Sequence, residues 1–222
     1  MNKNLRVPYG LSVHGKDEIN AVTSVLKSST QMGKNVSTFE KKISKLFEKK
    51  YGLMVNSGSS ALMLAMETLD FPQGSEIITP SLTFSTTVGY IVRNKWIPVF
   101  VDVEEGTYCI NESKIKNLIT KKTKAIVAPH LMGNIVNWKK LSPFLKKRGI
   151  IIVEDSADTL GATYKKKSTG RYADISITSF YGSHIINCAG NGGALCLNDS
   201  CNWISNVEVD TINQLKLAYS LS

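Results

Sequence analysis

The 222 residues carry 27 lysines and arginines against 18 aspartates and glutamates, a net charge of +9, on a chain long enough to bury a full core without staples. No apolar run approaches the roughly 20 residues that cross a bilayer, which excludes a membrane span; Cys109, Cys188, Cys196 and Cys201 have no metal-type spacing and follow no secretion signal, which points to a reducing cytoplasm. The lysines fall in scattered short runs such as Lys49-Lys50, Lys121-Lys122 and Lys165-Lys166-Lys167, without aromatics interleaved as on a base-stacking surface, so they read as solvated surface that can attract an anionic substrate and not as a nucleic-acid interface.

In chain order, Ile19, Val22, Val25 and Leu26 recur at helical spacing, and Val36, Phe39, Ile43, Leu46 and Phe47 do so again. Ser37 followed by Glu40 predicts a capping box that opens the second helix. The two helices make an N-terminal arm over residues 1–50. Short apolar runs at 53–55, 77–79, 98–101, 125–128, 150–153, 175–178 and 194–197 then alternate with helical patterns. Runs this short and apolar suit strands buried on both faces, so residues 51–205 are predicted to form a mainly parallel, doubly wound α/β sheet. Residues 206–222 offer no clear next strand and read as an atypical tail.

In such a sheet ligands bind beyond the carboxyl ends of the strands, and the distinctive sequences lie there. Asn56-Ser57-Gly58-Ser59-Ser60-Ala61 follows the first run and opens a helix; free amides, small hydroxyls and a glycine make a phosphate cradle, although Ser-Gly-Ser is also ordinary N-cap chemistry. Phe84, beyond the second run, is placed to offer an aromatic face to a planar ligand, or to join the core. Glu154-Asp155-Ser156-Ala157-Asp158 puts carboxylates at another strand end; Asp155 there can pair with a cationic ring nitrogen or cap a turn. Ser179 closes the sixth run, and Gly192-Gly193 permit close backbone passage or mark a bulge. Between them stands Phe180-Tyr181-Gly182-Ser183-His184. No metal site is predicted.

These motifs, in this order, together with Gly161-Ala162-Thr163-Tyr164, Phe39-Glu40 and His130-Leu131-Met132-Gly133-Asn134, resemble the DegT/DnrJ/EryC1/StrS family of sugar aminotransferases and dehydratases over about residues 8 to 200. The resemblance implies the large domain of the aspartate-aminotransferase fold and pyridoxal 5'-phosphate or pyridoxamine 5'-phosphate as cofactor. It also implies roles: Gly58, Ser59, Ser60 and Ser179 on the phosphate, Phe84 stacked on the ring, Asp155 on the ring nitrogen, and Asp158 beside the ring.

Aminotransferases of the family carry a lysine five residues after the serine equivalent to Ser179, where this chain has His184, and no lysine occurs between Lys167 and Lys216. Counting back from Gly190 selects Ile185 instead, because the loop is one residue longer than the family spacing. Family members with histidine there are nucleotide-sugar 3-dehydratases acting on 4-keto-6-deoxyhexoses in surface-polysaccharide or deoxysugar pathways, and the resemblance implies His184 as their base. A nucleotide-sugar aminotransferase and a non-catalytic remnant, with His184 a mere loop residue, are the competing readings. Asn191 stands where the family usually has glutamate. The resemblance further implies a cytoplasmic homodimer, and a chain expected to be truncated because the family's small C-terminal domain has no counterpart in it.

Overall fold

The computed structural model describes residues 8, 10–11, 13–28 and 30–198; the tail expected over 206–222, like Cys201, lies outside them. Two helices, α1 (Lys16–Ser28) and α2 (Lys34–Leu46), precede strand β1 (Tyr51–Val55). There follow α3 (Gly58–Glu67), β2 (Glu76–Pro80), α4 (Ser85–Arg93), β3 (Ile97–Val101), α5 (Glu112–Leu118), β4 (Thr123–Pro129), α6 (Trp138–Lys146) and β5 (Ile151–Asp155). A small hairpin of β6 (Thr163–Tyr164) and β7 (Lys167–Ser168) leads to β8 (Ile175–Ser179) and β9 (Gly193–Leu197).

Seven strands form one sheet in the order β1-β9-β8-β5-β4-β2-β3. The pairs β2–β3, β2–β4, β4–β5 and β5–β8 are parallel, and β9 runs antiparallel between β1 and β8. The mainly parallel sheet read from the short apolar runs is therefore present, with one reversed strand that the pattern of apolar residues does not encode. Pro98 lies in β3, an edge strand, where a missing N–H breaks no inner ladder.

Adjacent residues of each inner strand point to opposite faces, and both faces are covered. Ile77, Val127, Val153 and Ile175 pack with Leu62, Leu64 and Met66 of α3, whereas Ile78, Ile126 and Ile152 pack with Trp138, Leu141 and Leu145 of α6. A third cluster joins Ile43 and Phe47 to Phe180, Ala194 and Cys196, so the N-terminal arm is welded to β9 and to the residue that follows β8.

The expected capping box does not form. Helix α2 begins three residues before Ser37, with Gly33 at its N-cap, and the Ser37 N–H is already donating to the Gly33 carbonyl at 3.0 Å. Glu40 instead reaches the sheet, where its Oε1 accepts the Met54 N–H at 3.0 Å. The helix can come that close because residue 52 is glycine; a Cβ there would stand 2.5 Å from the Glu40 carbonyl oxygen. A tertiary contact has claimed the side chain that the local motif would have used.

Candidate functional site

The register brings the carboxyl ends of the strands to one edge. Val55 and Ser179 both pair with Gly193, and Asp155 is level with Pro129 on one side and Ile177 on the other. Helix α3 opens at this edge with Ser57 as N-cap, its Oγ accepting the Ser60 N–H at 3.1 Å. Gly58 and Ser59 start the helix, so their N–H groups have no carbonyl behind them within it and face outward with the positive end of the helix dipole. Gly58 lies directly on Ser179, and Gly193 on the Ser57 carbonyl, where an added Cβ would come within 2.3 Å of the oxygen. The two glycines let three strand ends and a helix N-terminus converge, a close approach and not a bulge.

The serines of this cradle are not equivalent. The Ser60 hydroxyl donates to Asn56 Oδ1 at 2.5 Å and lies 3.0 Å from the Ser57 Oγ, so it braces the turn. Ser179 Oγ accepts the Tyr181 N–H at 3.3 Å, which leaves its own proton free to donate. Asn56 and Ser57 belong to the same motif but were not predicted as site residues; the N-cap pattern is the signal that marks Ser57.

Asp155 ends β5 with only 8% of its surface exposed. Burial pushes its carboxyl up to about 6; the Ala157 N–H, donating to Oδ1 at 3.0 Å, opposes this, and the negative charge of Asp158 adds to it. Among the described residues no cation is paired with it. Beside it, Glu154 is fully buried with His130, Nε2 to Oε2 3.1 Å. Because the Val136 N–H donates to His130 Nδ1 at 2.9 Å, the ring proton is on Nε2 and is donated to Glu154. This pair ties the ends of β4 and β5 together and fixes the loop that leaves β4.

Asp158 lies apart from Asp155 in its contacts. Its Oδ2 accepts the Met132 N–H at 3.0 Å, and its Oδ1 is 3.8 Å from His184 Nε2. Of the two residues the spacing leaves open, His184 faces inward with the Tyr181 ring edge-on at 6.0 Å, whereas Ile185 is 62% exposed. Three backbone bonds close the loop: Phe180 N–H donates to the Gly192 carbonyl, Cys188 N–H to that of Phe180, and His184 N–H to that of Tyr181 at 2.9 Å. The lengthened part carries Ala189 at φ 55°, a left-handed residue that is not glycine.

Phe84 is the N-cap residue of α4 and is 67% exposed, so it is not core; its ring is open on the carboxyl side of β2. Several of the basic side chains lie on rings of their own chain: Arg148 sits 3.8 Å over Phe144, with Lys116 over the same ring and Lys165 over Tyr164. Among the described residues no group of three or more His, Cys, Asp or Glu side chains is placed to hold a metal ion, and no helix is long and apolar enough to cross a membrane.

A seven-stranded, mostly parallel α/β sheet with a helix N-terminus and the buried Asp155 at its strand ends, and with Asp158 facing His184 beside them, defines the class. The chain belongs to the DegT/DnrJ/EryC1/StrS aminotransferase family, whose model matches residues 13–205. It is 35% identical over 196 residues to the dTDP-4-dehydro-2,6-dideoxy-D-glucose 3-dehydratase of Saccharopolyspora spinosa, covering 85% of this chain and 42% of that protein. It is 34% identical over 193 residues to the GDP-perosamine synthase of Escherichia coli O157:H7, covering 86% and 52%. Among solved structures, the E. coli GDP-4-keto-6-deoxy-D-mannose-3-dehydratase with bound hydrated PLP superposes with a TM-score of 0.81 at 32% identity, covering 86% of this chain and 51% of that one. The chain thus spans about half the length of the relatives it matches.

Proposed function

We propose that residues 51–205 form the cofactor-binding large domain of a pyridoxal- or pyridoxamine-phosphate enzyme. The enzyme acts on a nucleotide-linked 4-keto-6-deoxyhexose in the cytoplasm, as a homodimer whose arm is residues 1–50. The reaction is removal of the C3 hydroxyl, with His184 as base.

The residues present fit the cofactor. Asp155 is a buried carboxylate raised to about 6 with no cation among the described residues, the environment that a protonated pyridine nitrogen would complete. Gly58, Ser59 and Ser179 offer unengaged backbone and hydroxyl donors to a phosphate, with Ser60 holding the turn in shape. Phe84 offers an exposed ring on the same edge. When bound, pyridoxamine phosphate supplies an amine for the sugar ketone and a ring that accepts electrons.

The observation that carries the dehydratase reading is an imidazole beside Asp158 in a loop that holds no lysine. An imidazole accepts and returns a proton near neutral pH but does not form a Schiff base with an aldehyde as a lysine does. The His184 backbone N–H is tied to the Tyr181 carbonyl and its ring lies edge-on to that of Tyr181, which supports a role in proton transfer. The aminotransferase reading rests on relatives such as the perosamine synthase, and needs an amine from outside this loop.

The test is an absorbance titration of the chain with pyridoxamine phosphate, followed by addition of a GDP- or dTDP-linked 4-keto-6-deoxyhexose. Binding, with loss of the C3 hydroxyl seen by mass spectrometry and abolished in His184→Asn, is the expected result. A 4-amino sugar formed with an amino donor would establish the transaminase instead. A folded chain that binds neither would leave the non-catalytic remnant.

A further inference from the structure

Asp158 joins two loops of this structure. Its two carboxylate oxygens face different elements: Oδ2 takes the Met132 N–H at 3.0 Å, and Oδ1 lies 3.8 Å from His184 Nε2. Met132 is at φ 54° and is followed by Gly133 at φ 84°, with Asn134 N–H donating back to the Leu131 carbonyl at 2.9 Å. That is a tight turn in which both central residues are left-handed, a conformation costly for methionine and kept only where surroundings impose it. The bond from Asp158 is the side-chain tie that holds that amide inward. The turn is anchored at its other end by the buried His130, whose Nδ1 accepts the Val136 N–H.

We infer that Asp158 is the positioning residue of His184: the 131–134 turn holds one of its carboxylate oxygens, and the other faces Nε2 of the imidazole and orients the ring. The inference rests on the reading of His184 as base. The geometry accounts for the roles of both oxygens, one spent on the backbone and one on the ring, and assigns Asp155 alone to the cationic nitrogen of a ligand. The other groups facing His184 are the Tyr181 ring, edge-on at 6.0 Å, and its own loop. Among the described residues His184 Nδ1 is buried without a hydrogen-bond partner, and Nε2 is the nitrogen that faces Asp158.

The carboxylate is about one-third exposed and the ring one-fifth, so its pull on the imidazole is that of a partly screened pair.

The experiment is 15N NMR of the histidine rings in the full cofactor-free chain at one fixed pH near 7, comparing native with Asp158→Asn. An asparagine can keep an oxygen for Met132, and it then turns its amide hydrogens toward His184 and demands Nε2 as acceptor. The expected result is a changed Nε2 resonance of His184, with the rings of His14 and His130 and the sheet amides unmoved. An unchanged His184 ring spectrum would overturn the inference. If Asp158→Asn does not give the native sheet spectrum, Asp158→Ser is measured against the same outcomes. Failure of the base reading is separate: it would show as turnover surviving His184→Asn while the ring spectrum still responded to Asp158.

Discussion

Gly58 rests on Ser179 through the space that any side chain at residue 58 would need: a Cβ there would be 2.6 Å from the Ser179 Cβ and 3.0 Å from its Oγ. Helix α3 and strand β8 are thereby clamped so that the helix N-terminus and the Ser179 hydroxyl point into one volume. Gly58→Ala must push them apart, at a cost of about 1–3 kcal/mol for overpacking. We expect a lower urea midpoint together with at least tenfold weaker binding of pyridoxamine phosphate. A variant that melts lower yet binds as well as native would sever the clamp from the cradle.

Asp155 makes stability depend on pH in a direction opposite to most aspartates. Its carboxyl is raised from 3.8 to about 6 in the folded chain, so the native state binds the proton more tightly than the unfolded one. Stability is therefore fully present below pH 3.8 and declines as pH rises through about 6, by about 3 kcal/mol from this group alone. Measured as the difference between native and Asp155→Asn in urea titrations at pH 4 and pH 7, the variant gains on the native chain at the higher pH. It should also lose affinity for cofactor, because the charge partner of the ring nitrogen has gone. Parallel stability curves across that window would refute the assignment.

The buried His130–Glu154 pair is structural. Removing the histidine leaves the fully buried Glu154 with the Thr169 hydroxyl and frees the Val136 N–H, and leaving buried groups short of their partners costs about 1–3 kcal/mol each. Thermal unfolding of His130→Ala should reveal a loss of this size, and hydrogen exchange should rise first across 131–136. A loss under about 1 kcal/mol would mean that the pair contributes little.

Glu40 links the arm to the sheet. Its carboxylate receives the Met54 N–H on β1, and leaving a partly buried N–H unpaired costs about 1–3 kcal/mol. Glu40→Ala should lower the denaturation midpoint without altering cofactor binding, as read by fluorescence titration; an effect on binding alone would contradict it.

The sheet was legible because its strands are buried on both faces and so appear as short continuous apolar runs, each broken by turn residues. The reversal of β9 was not, since direction is set by hydrogen-bond partners and leaves no mark on which residues are apolar. Asp155 and Ser179 could be placed because a residue that ends a parallel strand lies at the ligand edge whatever its neighbours do. The division of labour among Ser57, Ser59 and Ser60 could not, nor could the fate of Glu40, since each depends on a partner brought in by tertiary packing. The choice between His184 and Ile185 was open in the sequence because one extra loop residue shifts the count. In the structure it is His184, and not the exposed Ile185, that meets Asp158.

The most direct measurement is to incubate the full chain with one equivalent of pyridoxal phosphate, reduce with borohydride, and map the products by mass spectrometry. The expected result is reversible binding with no lysine stoichiometrically labelled in the native chain, and labelling at position 184 in His184→Lys. A native lysine labelled in full would contradict the central claim, because the chain would then possess the amine that a histidine at residue 184 is proposed to replace.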